Sequence, residues 1–461
     1  MTRTLNTRDT IDTKKSLHTI VLCVLCVLCV ESHRAFAQDA DRFDAIVKPY
    51  VDSRRFMGVA LVARGDDVVF SRGYGSANLE WSVPNTASTK FRIGSITKQF
   101  TAASILLLEE RGKLKVDDPV KQYLPDAPAA WDRITIFNLL THTSGIPNFT
   151  SMPSYRPMEP FPATPEKVVA TFRDKPLDFA PGEKFSYSNS GYILLGYVLE
   201  KVTGASYESF VQQNLFTPAG MKDSGYDSNS AVIAHRAAGY TTAATGFSNA
   251  GFVHMTIPFS AGALYSTAED LLRWEQALFG GKLLTPPSLK KMTTPFKGDY
   301  AFGLVVRTEN GRTSISHNGG IEGFNTALAY YPETKTTVVV LGNVNGTAPD
   351  EIVAKLGKIA HGEVAQAPAE HTEISVPRAT LASYVGTYQL APTFAIEISL
   401  EGDQLFEQAT NQPKFAIFPE SDTRFFLKVV DAQIEFQKDG AGAVTTLVLH
   451  QAGRDMPGKR K

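Results

Sequence analysis

The stretch Phe100-Thr-Ala-Ala-Ser-Ile-Leu-Leu-Leu108 puts apolar side chains on nearly every face of a helix. Such a helix has no face to offer water, so it must lie inside the domain with other elements packed around it. That requires a large core, which a chain of 461 residues can supply. Just upstream, Ser95-Ile-Thr-Lys98 sets a serine and a lysine three residues apart, on one face at the helix start. A lysine near the start of a buried helix needs a reason to be there.

Protonation supplies one. Lysine acts as a base only when uncharged, and burial or nearby positive groups push its pKa down. An uncharged Lys98 within reach of Ser95 can take the hydroxyl proton and turn the serine into a nucleophile. Backbone amides exposed at the helix N-terminus can hold the oxygen anion formed when a carbonyl is attacked. The plain alternative is a capping serine with its lysine in solvent. The tetrapeptide itself is not distinctive: roughly two per chain of this length arise by chance. A second does occur, from Ser288 to Lys291. It follows Pro286 and Pro287 and carries Lys290 beside Lys291, the pattern of an exposed first turn of a surface helix.

Two further segments bear on the choice. Tyr187-Ser-Asn189 lies just before the apolar helical run Ile193 to Val202, which Gly204 should terminate. A loop ending on a helix can aim a phenol and an amide into a cleft. Tyr187 can relay a proton to a leaving group or help activate Ser95, and Asn189 can hydrogen-bond a substrate amide. The third segment is His317-Asn-Gly319-Gly320, between the strand-like Thr313 to Ser316 and Thr326 to Tyr331. Glycines at 319 and 320 let a substrate backbone lie against that strand edge, where an amide can supply a second oxyanion donor. His317 beside them is expected as a polar or cationic contact for a carboxylate or for the lysine and tyrosine network. Taken singly, Tyr187 to Asn189 is a polar turn and His317 a turn histidine.

The order Ser-x-x-Lys, Tyr-x-Asn, His-x-Gly resembles the serine β-lactamase superfamily. The similar branch holds class C-like β-lactamases, D-alanyl-D-alanine carboxypeptidases, D-amino-acid peptidases and related esterases. The likeness extends to Phe91-Arg-Ile-Gly-Ser-Ile-Thr-Lys-Gln-Phe, Leu139-Leu-Thr-His-Thr-Ser-Gly-Ile-Pro, Phe179-Ala-Pro-Gly-Glu-Lys-Phe-Ser-Tyr-Ser-Asn, Gly262-Ala-Leu-Tyr-Ser-Thr-Ala-Glu-Asp-Leu and Ser316-His-Asn-Gly-Gly-Ile-Glu-Gly-Phe, across about residues 42 to 360. The resemblance implies that Ser95 is acylated, that Lys98 activates it, that Tyr187 transfers protons and that Asn189 contacts the substrate amide. It implies an oxyanion hole from the amides of Ser95 and Gly320, and no metal or organic cofactor. His317 stands where most β-lactamases carry the lysine of Lys-Thr-Gly. That departure ranks D-stereospecific peptidase or carboxypeptidase activity first, esterase second and β-lactamase third. A catalytically weak penicillin-binding sensor or scaffold is the non-enzymatic alternative. The substrate is a small molecule or peptide: D-amino-acid peptides, esters or β-lactams. The oligomeric state is not read from the sequence.

Architecture follows from two hairpins far apart in the chain. Val59 to Ala63 with Val68 to Arg72, and Thr326 to Tyr331 with Thr336 to Leu341, make economical sense as one antiparallel sheet built from both chain ends with helices between. Thr267-Ala-Glu-Asp270 is a capping-box start for the helix that follows. The expected class is mixed α/β (α+β), a β-lactamase/transpeptidase-like sheet flanked by helices, with an all-helical lobe implied by the resemblance. It spans residues 42–361. After a linker at 362–376, short alternating segments between Tyr384 and Leu449 are separated by turn residues. They indicate a small antiparallel barrel over 377–456, similar to the lipocalin-like appendage of some superfamily peptidases. The basic tail from Arg454 to Lys461 is expected to be solvated.

The first 37 residues carry Arg3, Arg8, Lys14 and Lys15, then the apolar run Thr19 to Val30, then Ala35-Phe-Ala37. This is the pattern of a cleaved secretory signal, with an apolar run too short to span a bilayer, and it implies a secreted or periplasmic protein without a stable membrane span. Cleavage after Ala37 removes Cys23, Cys26 and Cys29, all the cysteines there are, so the mature chain has no disulfide. It also removes a net +2 and leaves about −3, which gives no electrostatic case for nucleic-acid binding.

Overall fold

The computed structural model describes residues 40–461 except 244–245, 367–370, 413, 429, 431 and 452–453. The expected signal segment 1–37 and its cleavage site lie outside the described residues, as does part of the expected linker.

The two distant hairpins meet. Strands β1 (Gly58–Arg64) and β2 (Asp67–Tyr74) form the first. Strands β3 (Val305–Glu309), β4 (Arg312–Ile321), β5 (Phe324–Tyr331) and β6 (Thr336–Gly342) follow one another as antiparallel neighbours. Strand β6 pairs antiparallel with β1, from Gly58 opposite Gly342 to Arg64 opposite Thr336. The sheet therefore runs β3-β4-β5-β6-β1-β2. The two central strands are buried on both faces, which is why they read as continuous apolar runs rather than alternating ones.

Strand alternation divides the core. Ala60, Val62, Val338 and Val340 pack with Phe43, Val47 and Tyr50 of a helix over 40–52, and with Ile352 and Leu356 of a C-terminal helix. Val59, Leu61, Val339 and Leu341 face the opposite way, into the larger helical core. Helix α1 (Thr97–Glu110) runs through that core, with every residue from Thr97 to Leu108 buried. Its Phe100 ring lies 4.0 Å from Trp274. Ser95 sits just ahead of the α-helix, in a 3₁₀ turn over Gly94–Ile96. Gly94 there has φ +51°, and a Cβ on it would lie 2.8 Å from the Gly320 nitrogen. The chain turns tightly because the nucleophile turn abuts the strand edge, a contact only glycine permits.

Helix α2 (Asn189–Thr203) ends at Gly204, as the sequence predicts, but begins directly after Ser188, so Asn189 is its first residue and not part of the preceding loop. Helix α3 (Ala268–Phe279) forms half of the expected capping box: Thr267 accepts from the Asp270 amide at 3.2 Å. The Asp270 carboxylate instead accepts from the Asp223 amide (2.7 Å), Ser224 (2.8 Å) and Arg273 (2.6 Å). Helix α4 (Pro286–Met292) corrects one expectation about the second Ser-x-x-Lys, because Ser288 is buried rather than exposed.

Beyond the helix-flanked sheet an up-and-down barrel of eight consecutive strands runs from Gly386–Ala391 to Arg454–Arg460 and closes on itself. The last strand corrects the solvated tail. Arg454 to Arg460 pairs along Val444–Gln451, while Arg460 and Lys459 meet Tyr388 and Gln389 of the first strand. Pro457 and Gly458 hide the strand from propensity, yet without it the barrel would keep two open edges.

Candidate active site

Lys98 is fully buried, and its Nζ has three neighbours: Ser95 Oγ at 3.0 Å, Asn189 Oδ1 at 2.8 Å and the Ala261 carbonyl oxygen at 2.8 Å. Burial pushes its pKa well below the ordinary lysine value, and among the described residues no carboxylate pairs with it. An uncharged amine has two N–H bonds and one lone pair. Oδ1 and the carbonyl can only accept, so they take the two N–H bonds, and the lone pair is left for the Ser95 hydroxyl proton. The rings of Tyr187 and Tyr192, 5.0 and 5.5 Å from Nζ, fill the remaining space.

The Tyr187 phenol lies beside Ser95 and acts on it electrostatically, so the serine oxygen has an amine on one side and a phenol near it. The phenol's pKa is raised by removal from water, so it is protonated at neutral pH and can donate. Its position is set by the segment after Leu139, quoted above only as part of a resemblance. His142 Nδ1 accepts from the Ser188 amide (3.1 Å), and the His142 carbonyl accepts from the Ser186 amide (2.9 Å). Ser188 Oγ donates to the Ile146 carbonyl (3.1 Å), and Asn148 Oδ1 accepts from the Asn189 amide (3.0 Å). These bonds clamp the Tyr187 to Asn189 segment on both sides. The His142 ring lies 4.3 Å from that of Tyr187 and is buried, uncharged, and at φ +54°, a strained conformation for a non-glycine residue.

His317 requires a correction. It is buried, and its Nδ1 lies 2.5 Å from the Asn318 carbonyl oxygen, which fixes the proton on Nδ1. Nε2 then accepts from the Tyr300 hydroxyl at 3.1 Å. Burial above all pushes its pKa down, to about 3, so a cationic contact for a substrate carboxylate is not what this side chain offers. Tyr300, which no sequence motif singled out, is the buried link between His317 and His142, with ring centroids 5.8 and 4.6 Å away.

The two glycines separate in role. A Cβ on Gly319 would lie 2.0 Å from the Ile93 carbonyl oxygen, so that glycine serves packing of the nucleophile turn. Thr326 Oγ1 donates to the same carbonyl at 3.0 Å. Gly320, by contrast, lines an open cleft of about 540 Å³ together with Ser95, Asn189, Thr150, Ala261, Asn325, Arg156 and Glu322. Strand β3 covers β4 only as far as Ser316, so the outer edge of β4 is free of strand pairing where it borders this cleft. Thr150, also missed in the sequence, accepts from Asn189 Nδ2 at 3.1 Å and holds the amide in the orientation that presents Oδ1 to Lys98. The second Ser-x-x-Lys lies elsewhere: Lys291 Nζ donates to Glu109 at 2.8 Å, and Thr285 Oγ1 donates to Ser288 at 3.3 Å. Among the described residues no group of three or more His, Cys, Asp or Glu side chains is placed to hold a metal, and no helix is long and apolar enough to cross a membrane.

A family model described as Beta-lactamase matches residues 43–362, and one described as Domain of unknown function (DUF3471) matches residues 370–460. The chain is 29% identical over 436 residues to Penicillin-binding protein 4* of Bacillus subtilis (strain 168), covering 88% of this chain and 95% of that protein. Among solved structures it is similar to a penicillin binding protein from Bacillus halodurans, with 31% identity, a TM-score of 0.62, and coverage of 68% and 98% of the two chains. It is similar also to a D-stereospecific amidohydrolase from Streptomyces sp., with 25% identity, a TM-score of 0.59, and coverage of 68% and 96%.

Proposed function

The chain belongs to the Beta-lactamase family of serine hydrolases, and from that premise we propose that it hydrolyses D-configured amides and peptides through an acyl-enzyme on Ser95. The observation that carries this reading is the buried Lys98 Nζ 3.0 Å from Ser95 Oγ, with burial pushing its pKa well below the ordinary lysine value and no carboxylate paired with it among the described residues. In the proposed reaction Lys98 takes the hydroxyl proton as Oγ attacks the carbonyl carbon. The oxyanion lies between the Ser95 and Gly320 amides, and Asn189 contacts the substrate amide. Tyr187 passes a proton to the leaving nitrogen, the amine departs, and water releases the acyl group by the reverse proton traffic.

Amide and peptide substrates rank above lactams because the position of His317 offers no positive charge to a lactam's carboxylate. The likeness to a D-stereospecific amidohydrolase supports the same order. Within the wider choice the uncharged His317 favours substrates that begin with a free amine over those that end in a free carboxylate. The sequence pattern of residues 1–37 supports action outside the cytoplasm after cleavage near Ala37.

Peptide mass mapping after incubation with an activated acyl ester or a fluorescent penicillin tests the chemistry, the expected adduct being on the Ser95 peptide. Folded protein that yields neither adduct nor ester turnover would instead be a binding module. A panel of D-peptide, ester and lactam substrates tests the ranking, and dominant cephalosporin turnover would reverse it.

A further inference from the structure

Besides the reactive groups, the cleft wall carries an ionic set that the chemistry above leaves unused. Glu322 occupies the two-residue turn with Gly323 that joins β4 to β5, and its side chain is 18% exposed, on the cleft. Arg156 Nη1 donates to Glu322 Oε1 at 3.0 Å and to Glu159 Oε2 at 2.9 Å. Glu159 is buried behind the wall. One guanidinium thus serves two carboxylates. Burial and the neighbouring Glu159 carboxylate hold the Glu322 carboxyl above its ordinary range, because ionising both would leave a negative charge in excess of the one guanidinium; Arg156 therefore has no free charge to offer a substrate carboxylate, and a second cation would draw Glu322 to its ionised form. Among the described residues, Arg156 and Glu322 are the only ionic side chains lining the cleft.

Position gives that excess charge a use. Glu322 follows Gly320 by two residues, in the turn that ends that strand, and lines the same cleft as Gly320 and Ser95, so the acyl part of a substrate attacked by Ser95 shares that space with its carboxylate. We infer that Glu322 is the specificity-determining residue for a free ammonium on the acyl part of the substrate, so that the enzyme takes amino-acyl amides or esters with an unblocked amine. The inference rests on the hydrolase reading and narrows its substrate class. A substrate ammonium becomes the second cation of the set, matching two carboxylates with two positive groups in a partly desolvated site.

The test holds the leaving group constant. D-alanine p-nitroanilide and N-acetyl-D-alanine p-nitroanilide are compared by kcat/KM, with p-nitrophenyl acetate as a neutral acyl donor. The wild-type enzyme should prefer the free amine about 10-fold or more, and Glu322→Gln should collapse that ratio while Glu322→Asp, which keeps the charge, retains part of it. Arg156→Gln removes the competing cation and should raise the ratio, which keeps the idea testable if the glutamine variant does not fold. An enzyme acylated on Ser95 by p-nitrophenyl acetate but cleaving both anilides alike, cleaving neither, or keeping its preference in Glu322→Gln overturns the ammonium site and leaves the hydrolase reading standing. Absence of any Ser95 acylation by p-nitrophenyl acetate overturns both.

Discussion

Ser95–Lys98 and Ser288–Lys291 share a spacing and little else. Lys98 is buried among a serine, an amide oxygen, a carbonyl and two phenol rings, with no carboxylate paired with it among the described residues. Lys291 is about half exposed, at 48%, and donates to Glu109 at 2.8 Å. Its serine is turned toward Thr285 and Glu110 instead. A lysine in water beside a carboxylate keeps its proton, and a lysine removed from both loses it. The difference teaches that the motif is chemical only where the fold strips the amine of water and of counter-charge together.

The largest expected effect breaks the pair directly. Lys98→Ala should lower the rate of Ser95 acylation by an activated ester about 10³-fold or more, while Lys291→Ala leaves it within about twofold. An active Lys98→Ala enzyme would refute the role assigned to that amine.

The next variant makes the first lysine resemble the second. Asn189→Asp puts a carboxylate where Oδ1 now accepts from Nζ at 2.8 Å. A nearby negative charge favours the protonated amine, so the Lys98 pKa should rise. Acylation needs the uncharged form, so the acid limb of the pH–rate profile should move up by about one unit or more, and activity near neutrality should fall about 10²-fold. Part of it should return as the pH is raised. A loss that is independent of pH would mean that Asn189 matters only as a substrate contact.

How far the sequence reveals this contrast differs from residue to residue. Ser95, Lys98, Tyr187 and Asn189 stand in short motifs beside strong helix signals, and the structure brings their side chains together. The hairpins that form the sheet are visible because each closes locally. The clamp at His142, the hydroxyl of Thr150 and the link through Tyr300 are contacts between segments far apart in the chain; His142 stands in a stretch that carries the resemblance but no chemistry of its own, and nothing near Thr150 or Tyr300 marks them. The charge of His317 could not be read either, since it depends on burial and on the Tyr300 hydroxyl. The strand Arg454–Arg460 was missed because it is charged and contains Pro457 and Gly458, and only barrel closure accounts for it.

Glu275 on α3 extends the comparison to a buried group with no chemistry. It is buried, its Oε2 has no hydrogen-bond partner among the described residues, and desolvation pushes its pKa up to about 8. A carboxyl raised in this way binds its proton more tightly in the folded chain. Below about pH 4 both states are protonated and nothing is lost. Between the unfolded value near 4.3 and the folded value, the unfolded chain releases the proton and the folded one does not, so stability falls as the pH rises. Glu275→Met, which conserves volume, should therefore gain about 2 kcal/mol more over wild type at pH 8 than at pH 5 in urea titrations. An equal difference at both pH values would place the ionised carboxylate in contact with water.

The smallest effect belongs to the exposed pair. Lys291 is half in solvent, and Glu109 keeps a second bond in which its carboxylate accepts from the Val116 amide at 3.2 Å. Ordering a long side chain in water offsets most of the Coulomb gain, and salt screens what remains. Lys291→Met should change stability by about 0.5 kcal/mol or less, with that difference shrinking further in high salt. A loss several times larger would mean that the Glu109 carboxylate is held in a less watery place than its 17% exposure indicates. The second Ser-x-x-Lys would then share with the first the desolvation that separates them in this account, and the absence of counter-charge at Lys98 would be left as the one condition that makes its amine a base.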